Sequence, residues 1–121
     1  MLDILTTAIV LTRKQGEKSE SNYGCAYRGA GDLKCAVGCL IKDEHYYEGL
    51  ETESADSGSI IEVLNASIGR KLSQIEIGYL VLIQEAHDDA TKANFKQDFL
   101  ERITNYINQG ELPGELLCLT K

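Results

Sequence analysis

Apolar residues recur along this chain at two different periods, and the switches between them mark out its elements. Leu2, Leu5, Ile9 and Thr12 fall at helical spacing with Ala8 beside them, which predicts an amphipathic helix over residues 2–15. Asp3 near its start and Arg13 and Lys14 in its last turn complement the helix dipole, and Gly16 supplies the stop. Glu17 to Ser21 is a polar connector. The period then drops to two. Tyr23, Cys25 and Tyr27, and then Leu33, Cys35, Val37 and Cys39, alternate with small or charged residues on either side of Gly29-Ala30-Gly31. That pattern predicts a β-hairpin. With a three-residue loop, Gly31 takes the left-handed position, Arg28 faces Asp32 and Cys25 lies opposite Cys35. A loop one residue longer puts the two cysteines on opposite faces. The competing assignment is a helix starting at Cys35 and running through Ile41, which Gly38 weakens.

Beyond Ile41 the helical period returns. Lys42 to Glu51 reads as a short helical turn, and Thr52 to Gly58, rich in Ser, Asp and Glu, as a mobile loop. Ser59 is expected to cap a helix through about Ile68, with Ile60, Ile61, Val63 and Leu64 inside and Gly69-Arg70-Lys71 after it. Ser73 caps the next helix, with Glu76 at the capping-box position and Ile77, Leu80, Val81 and Gln84 recurring to about Ala90. Phe95, Phe99, Ile103 and Tyr106 share one face of a last helix, from about Asn94 to Asn108. Gly110 stops it, Pro113 marks the tail, and Leu116 to Leu119 either packs back on the body or forms an edge strand. No repeat, heptad pattern or linker divides the chain. The expectation is a single α+β domain over residues 1–121, a hairpin packed against about four helices.

Composition narrows the function classes. The chain has no Trp and two Phe, so aliphatic residues and the six Tyr must fill the core, with Tyr23 and Tyr27 expected beneath the hairpin. The net charge is −7, from 19 acidic and 12 basic residues. This argues against direct nucleic-acid binding, which needs clustered Lys and Arg, and suits docking on a basic protein surface. No apolar run has the length of a membrane span, and Ala8 to Leu11 lies between Asp3 and Arg13-Lys14, the reverse of a secretory signal. The expected location is therefore the cytoplasm. There the four Cys are thiols or metal ligands rather than structural disulfides.

Three segments carry a resemblance. They are Cys25-Ala26-Tyr27-Arg28; Lys34 to Tyr46, reading K-C-A-V-G-C-L-I-K-D-E-H-Y; and Leu82 to Asp88, reading L-I-Q-E-A-H-D. Together they resemble a family of small uncharacterised proteins of tailed bacteriophages and bacterial genomes. The likeness covers most of the chain, to about Tyr106, and departs at Lys42, where the family pattern has Pro, and in the acidic loop after Gly49. The family has no assigned chemistry. The resemblance implies a phage origin and, by association, a non-enzymatic inhibitor or adaptor acting on a protein of the bacterial host, defence components included.

The candidate residues fall into four groups. Arg28, Asp43, Glu44, Tyr46, Tyr47 and Glu48 combine charge with tyrosines, which supply interface area at low entropic cost, and form the expected partner-binding surface. Cys25, Cys35, Cys39 and His45 are the expected metal ligands if zinc is bound, since Cys35 and Cys39 fall within knuckle spacing. Buried thiols account for the same residues without a cofactor. Cys35 or Cys39 beside His87 or His45 is the thiol-enzyme alternative, and His87-Asp88-Asp89 resembles part of a phosphohydrolase site. More simply, His87 ends a helix, where the dipole favours its cation, and hydrogen-bonds to the hairpin. Last, Arg28, Lys34 and Arg70 would have to converge for the chain to sequester an anionic nucleotide signal. Homo-oligomerisation is left open by all of these readings.

Overall fold

The computed structural model describes residues 2–21 and 24–121. Tyr23, expected in the core, lies outside the described residues. Four α-helices carry the architecture: α1 (Leu2–Gln15), α2 (Gly58–Ile68), α3 (Gln74–Asp89) and α4 (Phe95–Asn108). Between α1 and α2 the strands β1 (Glu20–Ser21) and β2 (Gly24–Cys25) form a small antiparallel hairpin, followed by four 3-10 turns. The expected α+β class holds. No helix among the described residues is long and apolar enough to cross a membrane.

Helix α1 buries Ile4, Leu5, Ala8, Ile9 and Thr12, and the Thr12 hydroxyl is satisfied by the Ala8 carbonyl at 2.7 Å. Leu2, expected on the same face, is exposed instead. Helix α3 starts on the predicted capping box, with Ser73 Oγ accepting from the Glu76 backbone and the Glu76 carboxylate accepting from the Ser73 backbone. Helix α4 buries Phe95, Phe99, Leu100 and Ile103 against α3. The tail folds back as a 3-10 segment, Gly114–Thr120, not as an edge strand. Leu116 is buried and the Arg13 guanidinium donates to the Leu119 carbonyl at 2.7 Å. Helix α2 begins two residues earlier than expected, because the Ser57 hydroxyl, not that of Ser59, accepts from Ile60 N. The buried apolar residues of all these elements belong to one continuous core.

The hairpin differs most from its expected form. Pairing occurs between Glu20 and Cys25 and between Ser21 and Gly24, so the start of the first predicted strand pairs with the connector before it and not with residues beyond the Gly-rich loop. Across the Gly-rich loop an isolated bridge joins Arg28 to Lys34, two residues out of the predicted register, so Cys25 is not opposite Cys35 and Arg28 does not face Asp32. The reason lies in the loop. Gly31 and Asp32 both take left-handed conformations (φ +70° and +62°), and Gly29 N closes the loop on the Leu33 carbonyl at 2.8 Å. Beyond Lys34 the competing assignment is closer, since residues 35–41 form a helical turn in which Cys39 N donates to the Cys35 carbonyl. Side chains supply what a strand partner would have given. Gln15 bonds both the N–H and the carbonyl of Lys34, and Gln84 Oε1 accepts from Val37 N.

Glu76 also binds the Arg70 guanidinium with both oxygens, at 3.0 and 2.7 Å. The Arg70 contact and the Ser73 cap hold its carboxyl at about 2, against an ordinary 4.5. A depressed folded value means the stabilisation is fully present above about 4.5 and is lost as pH falls through about 2. Between those limits the melting temperature of the wild type should fall faster than that of Glu76→Gln, measured in parallel acid titrations. Parallel curves would remove Glu76 from the acid response.

Candidate functional site

The segment from Lys42 to Glu53 is held against the hairpin by one carboxylate that sequence reading passed over. Glu51 accepts from Tyr27 N (2.9 Å) and Arg28 N (3.0 Å), and also from the Tyr46 hydroxyl. Burial, followed by this contact with Glu51, raises the Tyr46 phenol to about 12. Tyr27 is buried as expected, and its hydroxyl donates to the Glu53 carbonyl at 2.6 Å. The loop after Thr52, read from sequence as mobile, is therefore tied at its first residues. Nothing in the sequence marked Glu51, which sits among exposed acidic residues of similar appearance.

The expected partner-binding residues divide into two sets. Arg28, Asp43 and Tyr46 are bound to one another: the Arg28 guanidinium meets Asp43 at 2.6 Å, donates to the Ile41 carbonyl and lies 4.5 Å over the Tyr46 ring. These contacts tie the 3-10 turns together, although the Asp43 side chain is itself 84% exposed and Arg28 Nε has no partner among the described residues. Glu44, Tyr47 and Glu48 are exposed beside them. Tyr47 is 52% exposed, and its ring lies close over Gly49, where a Cβ would stand 3.2 Å from Cε2. Any larger residue at 49 would push the ring away.

The four expected metal ligands are not brought together. Cys35 is fully buried, and its sulfur accepts from Gly38 N at 3.3 Å. Cys39 is half-buried near Lys34, and His45 sits on the next turn. Burial raises the thiol pKa of both Cys35 and Cys39, the opposite of what activates a nucleophile. Among the described residues, the group of potential ligands that does converge is Cys25, His87 and Asp88, with ligand atoms within 4.8 Å of one another.

His87 is fully buried near the end of α3, with its ring edge-on to Phe95 at 5.2 Å between centroids. Its Nε2 lies 3.1 Å from Ser19 N. A backbone N–H can only donate, so Nε2 is the acceptor and the ring proton sits on Nδ1, which donates to Asp88 Oδ1 at 2.8 Å. The bond expected from His87 to the hairpin goes instead to Ser19, in the segment read as a connector just before β1, and Nε2 accepts it. Lys18 takes the helix-ending role instead, donating to the carbonyls of Asp88 and Ala90. Gln84 Nε2 is the second donor to Asp88 Oδ1, at 2.8 Å. A polar Gln on an otherwise apolar helical stripe was the signal available for this residue.

Cys25, at the end of β2, places its sulfur 3.7 Å from the Asp88 carbonyl oxygen. Burial and the nearby Asp88 charge raise its thiol to about 11, so at neutral pH it keeps its proton. Both His87 nitrogens are engaged and this thiol is not ionised, so the cluster holds no ready pair of base and nucleophile. A cleft of about 220 Å³ opens beside it, with Glu51, Glu53, Glu85 and Asp88 on its walls. The cations expected to gather around an anion are dispersed. Arg28 and Lys34 share a shallow cleft with Asp32 and Asp43, while Arg70 is taken up by Glu76 and Asp3.

No protein-family model, curated protein or solved structure matches the chain.

Proposed function

We propose that the chain is a non-enzymatic binding protein that docks on a basic surface of another protein through Glu44, Tyr47 and Glu48. The observation that carries this reading is Tyr47, an aromatic residue 52% exposed on a turn that also exposes Glu44 and Glu48. Tyrosine supplies large contact area with few rotatable bonds, and it is enriched among residues that dominate interface energies. The Arg28–Asp43–Tyr46–Glu51 network supports the reading from below, because it fixes the turns that present the surface. The net charge of −7 favours a basic partner and a salt-dependent encounter. The resemblance to phage proteins makes a protein of the bacterial host the expected target, with a defence component among the candidates.

The test is capture from a bacterial host lysate, identification of the bound protein and titration of the purified pair. Tyr47→Ala should weaken binding by about 2 kcal/mol, roughly thirtyfold in Kd. The double reversal Glu44→Lys with Glu48→Lys should slow association and flatten its dependence on salt. Asp43 is left intact because its reversal would break the internal pair with Arg28. Wild-type binding by both variants would refute this surface.

A further inference from the structure

We propose that Cys25 and Asp88 form a binding site for a soft or borderline divalent metal ion of the zinc class, with His87 as the residue that positions the carboxylate. The inference is independent of the docking surface. It rests on an arrangement across three parts of the fold: Cys25 from β2, Asp88 from the end of α3, and the cleft between them and the Glu51 segment.

Asp88 is oriented as a metal-binding carboxylate is. Its Oδ1 receives Gln84 Nε2 and His87 Nδ1, both at 2.8 Å. Those two bonds hold the carboxylate through Oδ1, and a carboxylate oxygen of Asp88 lies within 4.8 Å of the Cys25 sulfur. The carboxylate side chain is 38% exposed, so an ion can reach it from solvent, whereas His87 behind it is sealed. Outer residues of this kind, orienting a ligand from the protected side, are a regular part of metal sites. His87 is not itself a ligand. Coordination through Nδ1 would move the proton to Nε2, where it would meet the N–H of Ser19.

Cys25 supplies the soft donor. Its ligand atom belongs to the same group, within 4.8 Å of the others. Thiolate sulfur and carboxylate oxygen are both accepted by zinc, with solvent completing the coordination. The cleft is negative and attracts a cation: Asp88, Glu51 and Glu85 line it, and Glu20 lies near the sulfur. Lys18 sets one positive charge against them. Binding exchanges the thiol proton for the metal; the proton leaves to solvent and the sulfur–metal bond forms, with no change of oxidation state.

The probe is cobalt(II), titrated into the full chain carrying Cys118→Ser, which removes the exposed thiol, and then displaced with zinc. The expected result is a sulfur-to-cobalt charge-transfer band, release of about one proton per metal at neutral pH, and loss of the band on adding zinc. Cys25→Ser should abolish the band. Asp88→Asn should weaken the affinity by more than the roughly hundredfold that loss of an outer partner costs, with the melting temperature of the metal-free protein checked in parallel. Cys39→Ser and His45→Ala should leave the band intact. No band in the parent chain, a band that survives Cys25→Ser, or one lost in Cys39→Ser would each overturn the assignment.

Discussion

Gly38→Ala should destabilise the protein by about 3 kcal/mol or more, lowering the melting temperature by roughly 10 °C, although it adds one methyl group. The conformation of Gly38 is not the cause. Among the described glycines the positive φ angles lie at Gly16, Gly24, Gly31, Gly69 and Gly110. The cause is proximity: a Cβ at 38 would drive into the Tyr27 carbonyl oxygen and stand 3.0 and 3.1 Å from the carbonyl carbon and Cα of the same residue. Those are backbone atoms, and backbone cannot rotate away as a side-chain tip can. Nor can Tyr27 retreat, because its N–H is bound to Glu51 and its hydroxyl to the Glu53 carbonyl. The turn carrying Gly38 is pinned in its turn by Gln84, through Val37 N. Gly78→Ala is the matched control. It lies exposed inside α3 with nothing within 4 Å of an added Cβ, and should stabilise by about 0.5–1 kcal/mol through helix propensity. Thermal or urea melts of the two variants read the contrast directly. If Gly38→Ala melts with the wild type, the close passage of Tyr27 over residue 38 is not formed in solution.

The same contact shows why the hairpin region was the part of the fold least legible in the sequence. Helices α1, α3 and α4 are specified locally, by apolar spacing, by the Ser73–Glu76 box and by Gly110, so their positions could be read directly. The alternation from Tyr23 to Cys39 is equally regular, yet the chain there does not form the ladder it suggests. Gln15 and Gln84, from two different helices, take the backbone groups of Lys34 and Val37 that strand partners would have used. Gly38, which argued against a helical turn on propensity, is required by a neighbour that sequence order does not reveal. The two candidate caps of α2 offer the same chemistry two residues apart. What separates them is which hydroxyl reaches Ile60 N, a matter of loop path.

The candidate sites divide in the same way. His87 and Asp88 stood out as adjacent titratable residues, and a helix-ending ring needs a partner, but the partner is Ser19 of the connector and not the strands expected to supply it. Grouping Cys25 with Cys35, Cys39 and His45 followed the chain order of ligand types. The fold groups Cys25 instead with residues more than sixty positions away, and seals Cys35 inside the core. Arg28, Asp43 and Tyr46 were recognisable as a charged and aromatic set. That Arg28 joins Asp43 and Tyr46, with Glu44, Tyr47 and Glu48 exposed beside them, depends on Glu51, whose three donors meet only in the folded chain.

His87→Ala should be the most damaging change at the cluster, with a loss of about 4 kcal/mol. Part of this is volume, since a fully buried ring in edge contact with Phe95 would be replaced by a methyl group, at about 2 kcal/mol or more. The rest is polar. Ser19 N would lose its acceptor inside the protein, and an orphaned buried donor costs about 1–3 kcal/mol. Ser19 is a poor place to lose one, because its carbonyl accepts from Ala26 N and its hydroxyl lies within bonding distance of the Ala26 and Leu33 carbonyls. The hairpin stem, and with it the approach of Cys25 to Asp88, is organised around that residue. His87→Phe separates the two contributions: it restores most of the ring volume but offers no acceptor, so it should recover the packing part and leave the polar part unpaid. Hydrogen exchange at the Ser19 amide gives an independent reading. It should be slow in the wild type and fast in both variants, while amides in the middle of α4 change only as far as global stability falls. A His87→Ala protein within about 1 kcal/mol of the wild type, with the Ser19 amide still protected, would mean that the stem does not rest on the His87 ring.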